Sequence, residues 1–379
     1  MTRSILVISP IPSHPQFQGN SARIFRLNQL LQLAGFQVHF LYFGMEGLTP
    51  ESERAMRTDW DAFYFVQPDG PAPSPSLVEE YAVDDWFDDR IGLKVQEVCN
   101  AYEFDAVLVN YVWMSKALQF VPPGPVKCID THDRFAYRNK RSEADGVDAR
   151  WFSTTEEQET LGLARADVVI AIQDQEAHYF SRLLNNDAQV LCVGHLVPKQ
   201  RLLSNEGLHN GNTFGFLGSS NPFNIASAEQ LLEILTLKQA EDESFNWTLC
   251  LAGGLCSAID QSTRVTKYNF VANMSDLARD VDTLVNPMQG GTGLKIKSVD
   301  FLAFGRPVIA TRSALAGLLP PSEIDALKPF EDPGINSGAN EHTVVDERSE
   351  PLLEVPIETF DGYSAEVRRQ VREFIRWFY

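Results

Sequence analysis

Basic residues are scarce in this sequence, and so are several features that mark common classes of protein. Its 379 residues include 32 lysines and arginines against 51 aspartates and glutamates, a formal net charge of −19. Nucleic acid and anionic lipid would repel such a chain, so neither is expected as a general partner. No apolar stretch approaches the roughly 18 residues that a membrane-spanning helix needs. A cytoplasmic location is therefore expected.

Cysteine is scarce too, and its spacing suits neither zinc nor a disulfide framework. The five cysteines are odd in number and include no Cys-x-x-Cys pair and no Cys/His pair at zinc spacing. They predict free, buried thiols in a reducing compartment and no metal site. The first apolar segment is followed by Pro10–Ser13, not by G-x-G-x-x-G, which argues against an NAD-dependent enzyme.

What the sequence does contain is an alternation of short apolar segments with stretches of helical periodicity. The length and the 44% hydrophobic content predict an ordinary globular protein of two domains. Continuous apolar segments are typical of strands covered on both faces, which predicts parallel sheets flanked by helices. The predicted strands are Ser4–Ser9, Gln37–Phe43, Ala106–Asn110, Val126–Ile129, Asp167–Ile172, Gln189–Val193, Thr213–Leu217, Trp247–Ala252, Thr283–Val285 and Pro307–Ala310.

A polar segment over residues 199–212 interrupts this alternation, which then restarts. We therefore predict two Rossmann-like α/β domains that face a cleft, residues 1–205 and 206–357, followed by a C-terminal helix over 358–379. The acidic, proline-rich stretch Pro320–Pro356 is predicted to be a long surface excursion. A membrane-surface role for the basic last helix is disfavoured by the negative net charge.

The most informative local pattern is NPMQGGTGLKIKSVDFLAFGRPVI, residues Asn286–Ile309. A strand ends before three glycines, and a helix begins near Leu294. Glycines let backbone N–H groups approach a ligand, and the first helical turn adds free N–H groups with partial positive charge, which suits a diphosphate. Lys295 and Lys297 add charge, and Asp300 could accept hydrogen bonds from a ribose diol. The alternative is a structural turn with solvated lysines.

This segment resembles the C-terminal signature of GT-B glycosyltransferases of family 4, in the branch with G-T-G-L-K-I-K before the helix and G-x-P-V after it. Other segments resemble elements of the same family: Phe214–Asn224, Leu251–Gly254, Val271–Leu277, Ile129–Asp133 and Ala166–Glu176. The resemblance spans about residues 3–317. It implies two Rossmann-like domains, with the donor held mainly by the C-terminal one and the acceptor by the N-terminal one, and a last helix that crosses back.

The activity implied by the resemblance is transfer of a sugar, with retention, from a nucleotide-diphosphate sugar to an acceptor hydroxyl in polysaccharide or glycoconjugate synthesis. Backbone amides and basic side chains would stabilise the leaving phosphate, without a metal or a tightly bound cofactor. The implied catalytic residues are His132 and Lys297. The implied donor-binding residues are Gly218, Ser219, Asn224, Met274, Gly291, Thr292, Gly293, Leu294, Lys295 and Asp300. The implied acceptor or cleft residues are Gly19, Asn20, Arg23, Tyr111, Trp113 and Arg134.

The chain departs from the family pattern in three places. Thr292 stands where many members have a Glu near the donor sugar, and Asp300 stands where they have the ribose-binding Glu, one methylene longer. The turn Gly218–Asn221 lacks the Arg/Lys pair that many members use to hold the diphosphate. Lys297 and Lys295 are our candidates for the missing charge.

Several alternatives stay open at this point. A catalytically inactive GT-B-fold binding or partner subunit would also fit the departures. His132 could be a histidine satisfied by neighbouring backbone, Tyr111 and Trp113 could pack in the core, and Asn20 could cap a helix. A phosphorylase on the same fold would need pyridoxal phosphate on a lysine.

Overall fold

The computed structural model describes residues 3–16, 18–70, 73–148, 151–185, 188–200, 211–269, 271, 274–330 and 350–378. These residues form two sheets, one from each half of the chain, with helices around them. Among the described helices, none combines the length and the apolar character that a bilayer crossing requires.

The N-terminal sheet has seven parallel strands. They are β1 (Arg3–Ser9), β2 (Phe36–Phe43), β3 (Ala62–Val66), β4 (Ala106–Asn110), β5 (Val126–Asp130), β6 (Val168–Ala171) and β7 (Gln189–Cys192). Their spatial order is β3-β2-β1-β4-β5-β6-β7. The direction of winding reverses between β1 and β4, and open α/β sheets bind ligands in the crevice beyond the carboxyl ends at such a point.

The C-terminal sheet has six strands, of which the last is antiparallel. They are β8 (Thr213–Leu217), β9 (Thr248–Ala252), β10 (Val265–Tyr268), β11 (Thr283–Asn286), β12 (Val308–Ala310) and β13 (Leu353–Val355). Their spatial order is β10-β9-β8-β11-β12-β13. The winding reverses between β8 and β11, so the turn after β8 and the glycine loop after β11 lie side by side.

The helices are α1 (Gly19–Leu33), α2 (Pro50–Asp59), α3 (Asp89–Ala101), α4 (Arg138–Ala144), α5 (Glu156–Leu163), α6 (Asp174–Leu184), α7 (Pro222–Glu241), α8 (Met274–Arg279), α9 (Ile296–Ala303), α10 (Arg312–Leu315), α11 (Pro321–Asp325) and α12 (Thr359–Arg376). Helix α7 begins at Pro222 because Asn221 caps it, accepting from the Phe223 N–H. Helix α12 joins the lobes: Phe360 packs in the C-terminal core and Phe374 in the N-terminal core.

Both faces of each sheet are covered, as the continuous apolar strands predict. All five residues of β4 are buried. In β9, Leu249 and Leu251 pack in one core cluster of the C-terminal lobe, whereas Cys250 and Ala252 pack in the other. The alternation of side chains along a strand therefore supplies both cores from one segment.

The predicted fold class is confirmed: two parallel-sheet Rossmann-like domains with a C-terminal helix. Three strands were not predicted, namely β3, β10 and β13. Strand β13 lies in the stretch predicted to be a surface excursion, where it adds an antiparallel edge beside β12. The predicted domain boundary at 205/206 falls outside the described residues, as do positions 331–349 of the predicted excursion.

Candidate functional site

A cavity of about 550 Å³ lies between the two lobes, at the carboxyl ends of both sheets. Residues from both lobes line it, and most of the predicted site residues are among them. The predicted residues that line it are Gly19, Asn20, Tyr111, His132, Gly218, Ser219, Asn224, Met274, Thr292, Gly293, Leu294, Lys295, Lys297 and Asp300. Gly291 lines a smaller cavity of about 130 Å³ that shares part of this wall.

Three predicted cleft residues do not line either cavity, because their side chains bond or pack elsewhere. Arg23 is 2% exposed and points inward to Asp130. Trp113 is buried among aromatic rings, stacked 5.2 Å from Tyr111. Arg134 lies over the Tyr179 ring at 3.9 Å. The placement of Arg23, Trp113 and Arg134 in the cleft is therefore corrected, since the strand-end rule locates a backbone and not the direction of a side chain.

The glycine loop is organised from within by one lysine. The Lys295 ammonium donates to the carbonyl oxygens of Gly291, Thr292 and Gly293 at 3.0, 3.1 and 3.3 Å. Gly291 and Gly293 have φ values of 74° and 75°, a left-handed conformation that glycine adopts without strain. The N–H groups of Thr292, Gly293 and Leu294 have no acceptor among the described residues. The loop therefore presents donors in the manner of an anion-binding backbone nest.

Glycine is also required at 293 because the lobes approach closely there. A Cβ at position 293 would lie 3.3 Å from the carbonyl oxygen of His132 and 3.5 Å from Oδ1 of Asp133. A side chain at Gly293 would thus meet the N-terminal lobe directly. Because Gly293 has no side chain, His132 and the glycine loop can lie close together on the wall of one cavity.

A carboxylate from the N-terminal lobe occupies one amide of this loop. Asp145, at the end of α4, accepts a hydrogen bond from the Gly291 N–H at 2.8 Å. A Cβ at Gly290 would lie 2.3 Å from the same carboxylate, so glycine at 290 leaves room for Asp145. This hydrogen bond shows that the Gly291 N–H can donate to an anionic oxygen. The contact also links the two lobes.

Lys297 lies beside the turn after β8, where the sequence has no basic residue. Its ammonium donates to Asn224 Oδ1 at 2.5 Å and lies 4.6 Å above the Phe216 ring. Asn224 in turn donates from Nδ2 to Ser219, at 3.2 Å to the carbonyl oxygen and 3.1 Å to Oγ. A positive charge from α9 is thereby linked to the Gly218–Ser219 turn.

The two lysines lie in an environment that disfavours their charge when no anion is bound. Burial and, to a smaller extent, the nearby Lys295 ammonium together lower the pKa of Lys297 to about 7. Burial also lowers the pKa of Lys295, against an opposing effect of Asp133. Because burial disfavours their charged forms, both ammonium groups would be stabilised by a bound anion, as expected of a phosphate site.

His132 is held from one side by Asn110. The Asn110 Nδ2 donates to the Ile8 carbonyl at 3.1 Å, which leaves its Oδ1 to accept from His132 Nε2 at 2.9 Å. This arrangement assigns the proton to Nε2 and leaves Nδ1 as the acceptor nitrogen. Burial lowers the pKa of His132 to about 4, despite the opposing effect of Asp130. The imidazole is therefore neutral at pH 7.

The backbone around His132 is strained. His132 has φ 61° and Tyr111 has φ 72°, and neither residue is a glycine. Their rings stack with centroids 4.1 Å apart and 13° between planes. Backbone strain of this kind costs about 1–3 kcal/mol per residue and concentrates at functional sites. Two adjoining strained residues on the cavity wall therefore support a functional role for this corner.

Behind His132 lies a buried ion pair. Asp130 is 0% exposed and accepts from Arg23 Nε and Nη2, each at 3.0 Å. Burial alone would raise the pKa of Asp130, but the Arg23 guanidinium and His132 oppose it, and the pKa lies below its ordinary value. Arg23 also donates to the Gly194 carbonyl at 2.6 Å, which fixes β5 against the chain that leaves β7.

Several site residues were not predicted from the sequence. Asn110 ends β4 immediately before Tyr111, so the strand-end rule that selected Tyr111 would also have found it. Glu46 and Trp151 line the cavity from the N-terminal lobe, and burial raises the pKa of Glu46. No sequence signal marks Asp145, whose contact with Gly291 spans 146 positions. Among the described residues, no three histidines, cysteines or acidic residues are grouped to hold a metal ion.

Comparison with known families gives one match. Residues 211–333 match the family described as glycosyl transferases group 1. The match covers the turn after β8, the glycine loop and helix α9, which are the parts of the cavity wall in the C-terminal lobe. The predicted family resemblance is confirmed for this segment. No match was found among curated proteins.

Solved structures share the fold at low sequence identity. HepE from Anabaena in complex with UDP and glucose is 13% identical, with a TM-score of 0.55, covering 84% of this chain and 83% of that one. Sucrose-phosphate synthase from Thermosynechococcus elongatus is 14% identical, with a TM-score of 0.59 and coverage of 85% and 84%. TarM from S. aureus is 9% identical, with a TM-score of 0.60 and coverage of 99% and 95%. These likenesses confirm the GT-B architecture.

Proposed function

We propose that this chain, whose residues 211–333 match glycosyl transferases group 1, is a retaining glycosyltransferase that moves a sugar from a nucleotide-diphosphate sugar to an acceptor hydroxyl. The observation that carries the proposal is the glycine loop. Its carbonyl oxygens are bound by Lys295, and Thr292, Gly293 and Leu294, whose N–H groups have no acceptor among the described residues, line the inter-lobe cavity. Polysaccharide or glycoconjugate synthesis is the proposed setting.

The diphosphate is assigned to the loop amides and to Lys297. The main chemical task is to stabilise the charge that develops on the leaving phosphate oxygen, and preorganised amides and cations in a low-dielectric site do this well. Lys297 takes the place of the missing Arg/Lys pair, because Asn224 holds its ammonium beside the Gly218–Ser219 turn. No step assigned here requires a metal ion or a tightly bound cofactor.

The remaining parts of the nucleotide are assigned to neighbouring residues of the C-terminal lobe. Asp300 lines the cavity from α9 and would accept from the ribose hydroxyls. Met274, at the start of α8, also lines the cavity and would contact the nucleobase. The complexes of HepE with UDP and glucose, and of TarM with UDP, support a nucleotide in this part of the fold.

His132 is assigned to the sugar and the acceptor. Its imidazole is neutral and can accept a hydrogen bond at Nδ1, since Asn110 occupies Nε2. Tyr111, stacked on it, and Gly19 with Asn20 line the acceptor side of the cavity. Closure of the lobes at Gly293 would exclude water that otherwise hydrolyses the donor.

The test is a thermal-shift screen with UDP, GDP, ADP and dTDP, in EDTA and in magnesium, followed by assays of donor hydrolysis and transfer. We expect at least one nucleotide to raise the melting temperature in EDTA, and His132→Ala to lower turnover by about 10²-fold or more with little change in nucleotide affinity. No shift with any nucleotide would refute the proposal.

A second candidate is a GT-B subunit that binds without catalysis. It is favoured by Asp145, whose carboxylate occupies the Gly291 amide, and by the turn Gly218–Asn221, which has no basic residue. Nucleotide binding with no hydrolysis or transfer from any donor would support this candidate. Turnover that disappears in His132→Ala would exclude it.

A further inference from the structure

His195 is a buried histidine for which the proposed mechanism has no use. It lies between β7 and the C-terminal lobe, and its side chain is 0% exposed. Neither Nδ1 nor Nε2 has a hydrogen-bond partner among the described residues. Buried polar groups are nearly always paired, so an unpaired imidazole in the interior calls for a physical reason.

The backbone that carries this imidazole is fixed on the C-terminal helix. The His195 N–H donates to the Tyr363 hydroxyl at 2.9 Å, and that hydroxyl donates back to the His195 carbonyl at 3.2 Å. The Gly194 N–H donates to Gln370 Oε1 at 3.0 Å. A Cβ at Gly194 would lie 2.7 Å from Val367 Cγ2, so helix α12 packs against bare backbone. The backbone of His195 is thereby fixed to helix α12.

The group that faces this ring is Asp300. His195 Nε2 lies 3.5 Å from Asp300 Oδ1. The Asp300 carboxylate is 21% exposed and lines the inter-lobe cavity, so one side faces the histidine and the other faces the space for a ligand. A carboxylate has two oxygens and about four acceptor sites, so it can accept from an imidazole and from a ligand diol together.

We propose that His195 is a positioning residue that orients Asp300 toward the ribose diol of the nucleotide donor. The inference rests on the proposed function, because it assumes that a nucleotide occupies the cavity. Aspartate is one methylene shorter than glutamate, so the direction of its carboxylate decides whether both ribose hydroxyls are reached. The His195 Nε2, 3.5 Å from Oδ1, would direct that oxygen toward the histidine when the donor binds and leave Oδ2 for the diol.

The test compares ribose recognition with nucleotide binding as a whole. Calorimetric titrations use UDP and 2′,3′-dideoxy-UDP, or the corresponding GDP or ADP pair where that base binds better. We expect His195→Phe to weaken UDP about fivefold and the dideoxy analogue hardly at all, since only the former has hydroxyls for Asp300. His195→Gln, whose amide reaches the position of Nε2, should restore most of the affinity, whereas His195→Asn, which is shorter, should not.

Two further variants separate positioning from packing. Asp300→Ala should abolish the preference for UDP, and adding His195→Phe to it should cost no further affinity for either ligand. His39→Phe is the matched control, because His39 is also buried and lies in β2, bonded to the Tyr64 hydroxyl at 3.0 Å. The His39→Phe variant should lower the free energy of unfolding and leave the ratio of the affinities for UDP and 2′,3′-dideoxy-UDP unchanged.

The outcomes distinguish the two proposals. Equal weakening of both ligands in the His195 variants would show a structural role only and would overturn the inference. Wild-type protein that binds neither member of any pair would overturn the proposed function itself. If His195→Phe fails to fold, the ratio of affinities in His195→Asn and His195→Gln decides in its place.

Discussion

Around His132 the N-terminal wall of the cavity is held by side chains that bond to one another, whereas around Gly291 the C-terminal wall is held by backbone. In the first, His132, Asn110, Asp130 and Arg23 satisfy their hydrogen bonds within the lobe. In the second, Lys295 binds loop carbonyls and leaves the outward amides free. The N-terminal wall is therefore held mainly by pairs of side chains, whereas in the C-terminal wall the N–H groups of Thr292, Gly293 and Leu294 have no acceptor among the described residues.

This difference predicts where substitutions act. A change in the N-terminal network should cost folding stability, because it leaves a buried polar group without its partner. A change in the glycine loop or its lysines should lower ligand affinity and leave folding stability unchanged. The reason is that burial already disfavours the charged forms of Lys295 and Lys297.

Arg23→Met should destabilise the protein by about 3–5 kcal/mol, because it leaves the Asp130 carboxylate buried without its counter-charge. Urea unfolding followed by circular dichroism measures the change. Arg57→Met is the control: Arg57 forms an exposed pair with Glu53, and such pairs contribute roughly 0–1 kcal/mol. A similar small loss for both variants would mean that the N-terminal network does not hold the site.

Lys297→Met should weaken nucleotide diphosphate binding by about ten- to a hundredfold, since a charge-assisted contact with the phosphate is lost. Stability should be equal or higher, because a buried ammonium is removed. Calorimetry and urea unfolding measure the two quantities. Lys199→Met, at an exposed lysine paired with Asp361, is the control. Loss of stability without loss of affinity would reverse the contrast between the walls.

Asp145→Ala should strengthen nucleotide diphosphate binding by about fivefold, because the Gly291 N–H and the space beside it become available to phosphate oxygen. Asp145→Asn should give a smaller gain, since an amide oxygen still accepts without the charge. Asp69→Ala removes the same charge from an exposed site beside Arg90 and should have no effect. Weaker binding of the intact sugar nucleotide, with UDP affinity unchanged, would instead identify Asp145 as a ligand of the donor sugar.

Nucleotide affinity should fall by about fivefold as the pH rises from about 6.5 to 8.5. The pKa of Lys297 is about 7 in the free protein, so the ammonium is charged below that pH and loses its proton above it. A bound phosphate favours the charged form, so affinity is greatest on the acidic side of this window. Titrations across the window measure the slope, and it should vanish in Lys297→Met. A slope that persists in the variant would assign it to another group.

Every strand in the interior of the two sheets was predicted from the sequence, and of the four edge strands only β7 was. Strand β4 has the predicted bounds, because residues 106–109 are apolar throughout and all five residues of the strand are buried. The missed strands β3, β10 and β13 each pair with one neighbour only. Strands β10 (VTKY) and β13 (LEV) are short and partly polar, so their apolar signal is weak, and β13 pairs antiparallel with β12. Strand β3 (AFYFV) is apolar throughout, so its segment carried a signal that the prediction missed.

All of the residues predicted to bind the donor line one of the two cavities, whereas only some of those predicted on the acceptor side do. Glycines, lysines and Asp300 lie within one continuous segment, so local spacing determines which of them share a wall. Trp113 and Arg134 stand near strand ends and Arg23 lies in helix α1, yet their side chains turn toward Tyr111, Tyr179 and Asp130. Burial and pairing over long sequence distances decide that direction.

The alternation of strands and helices and the residue types of the glycine loop can be predicted from the chain alone, because both depend on residues that are neighbours in sequence. The folded structure is needed to show that Asp145 meets the Gly291 amide, that His195 faces Asp300 and that Asn224 holds Lys297. These contacts join distant segments, and the closure of two lobes with covered sheets brings them together. Local propensity carries no information about that closure.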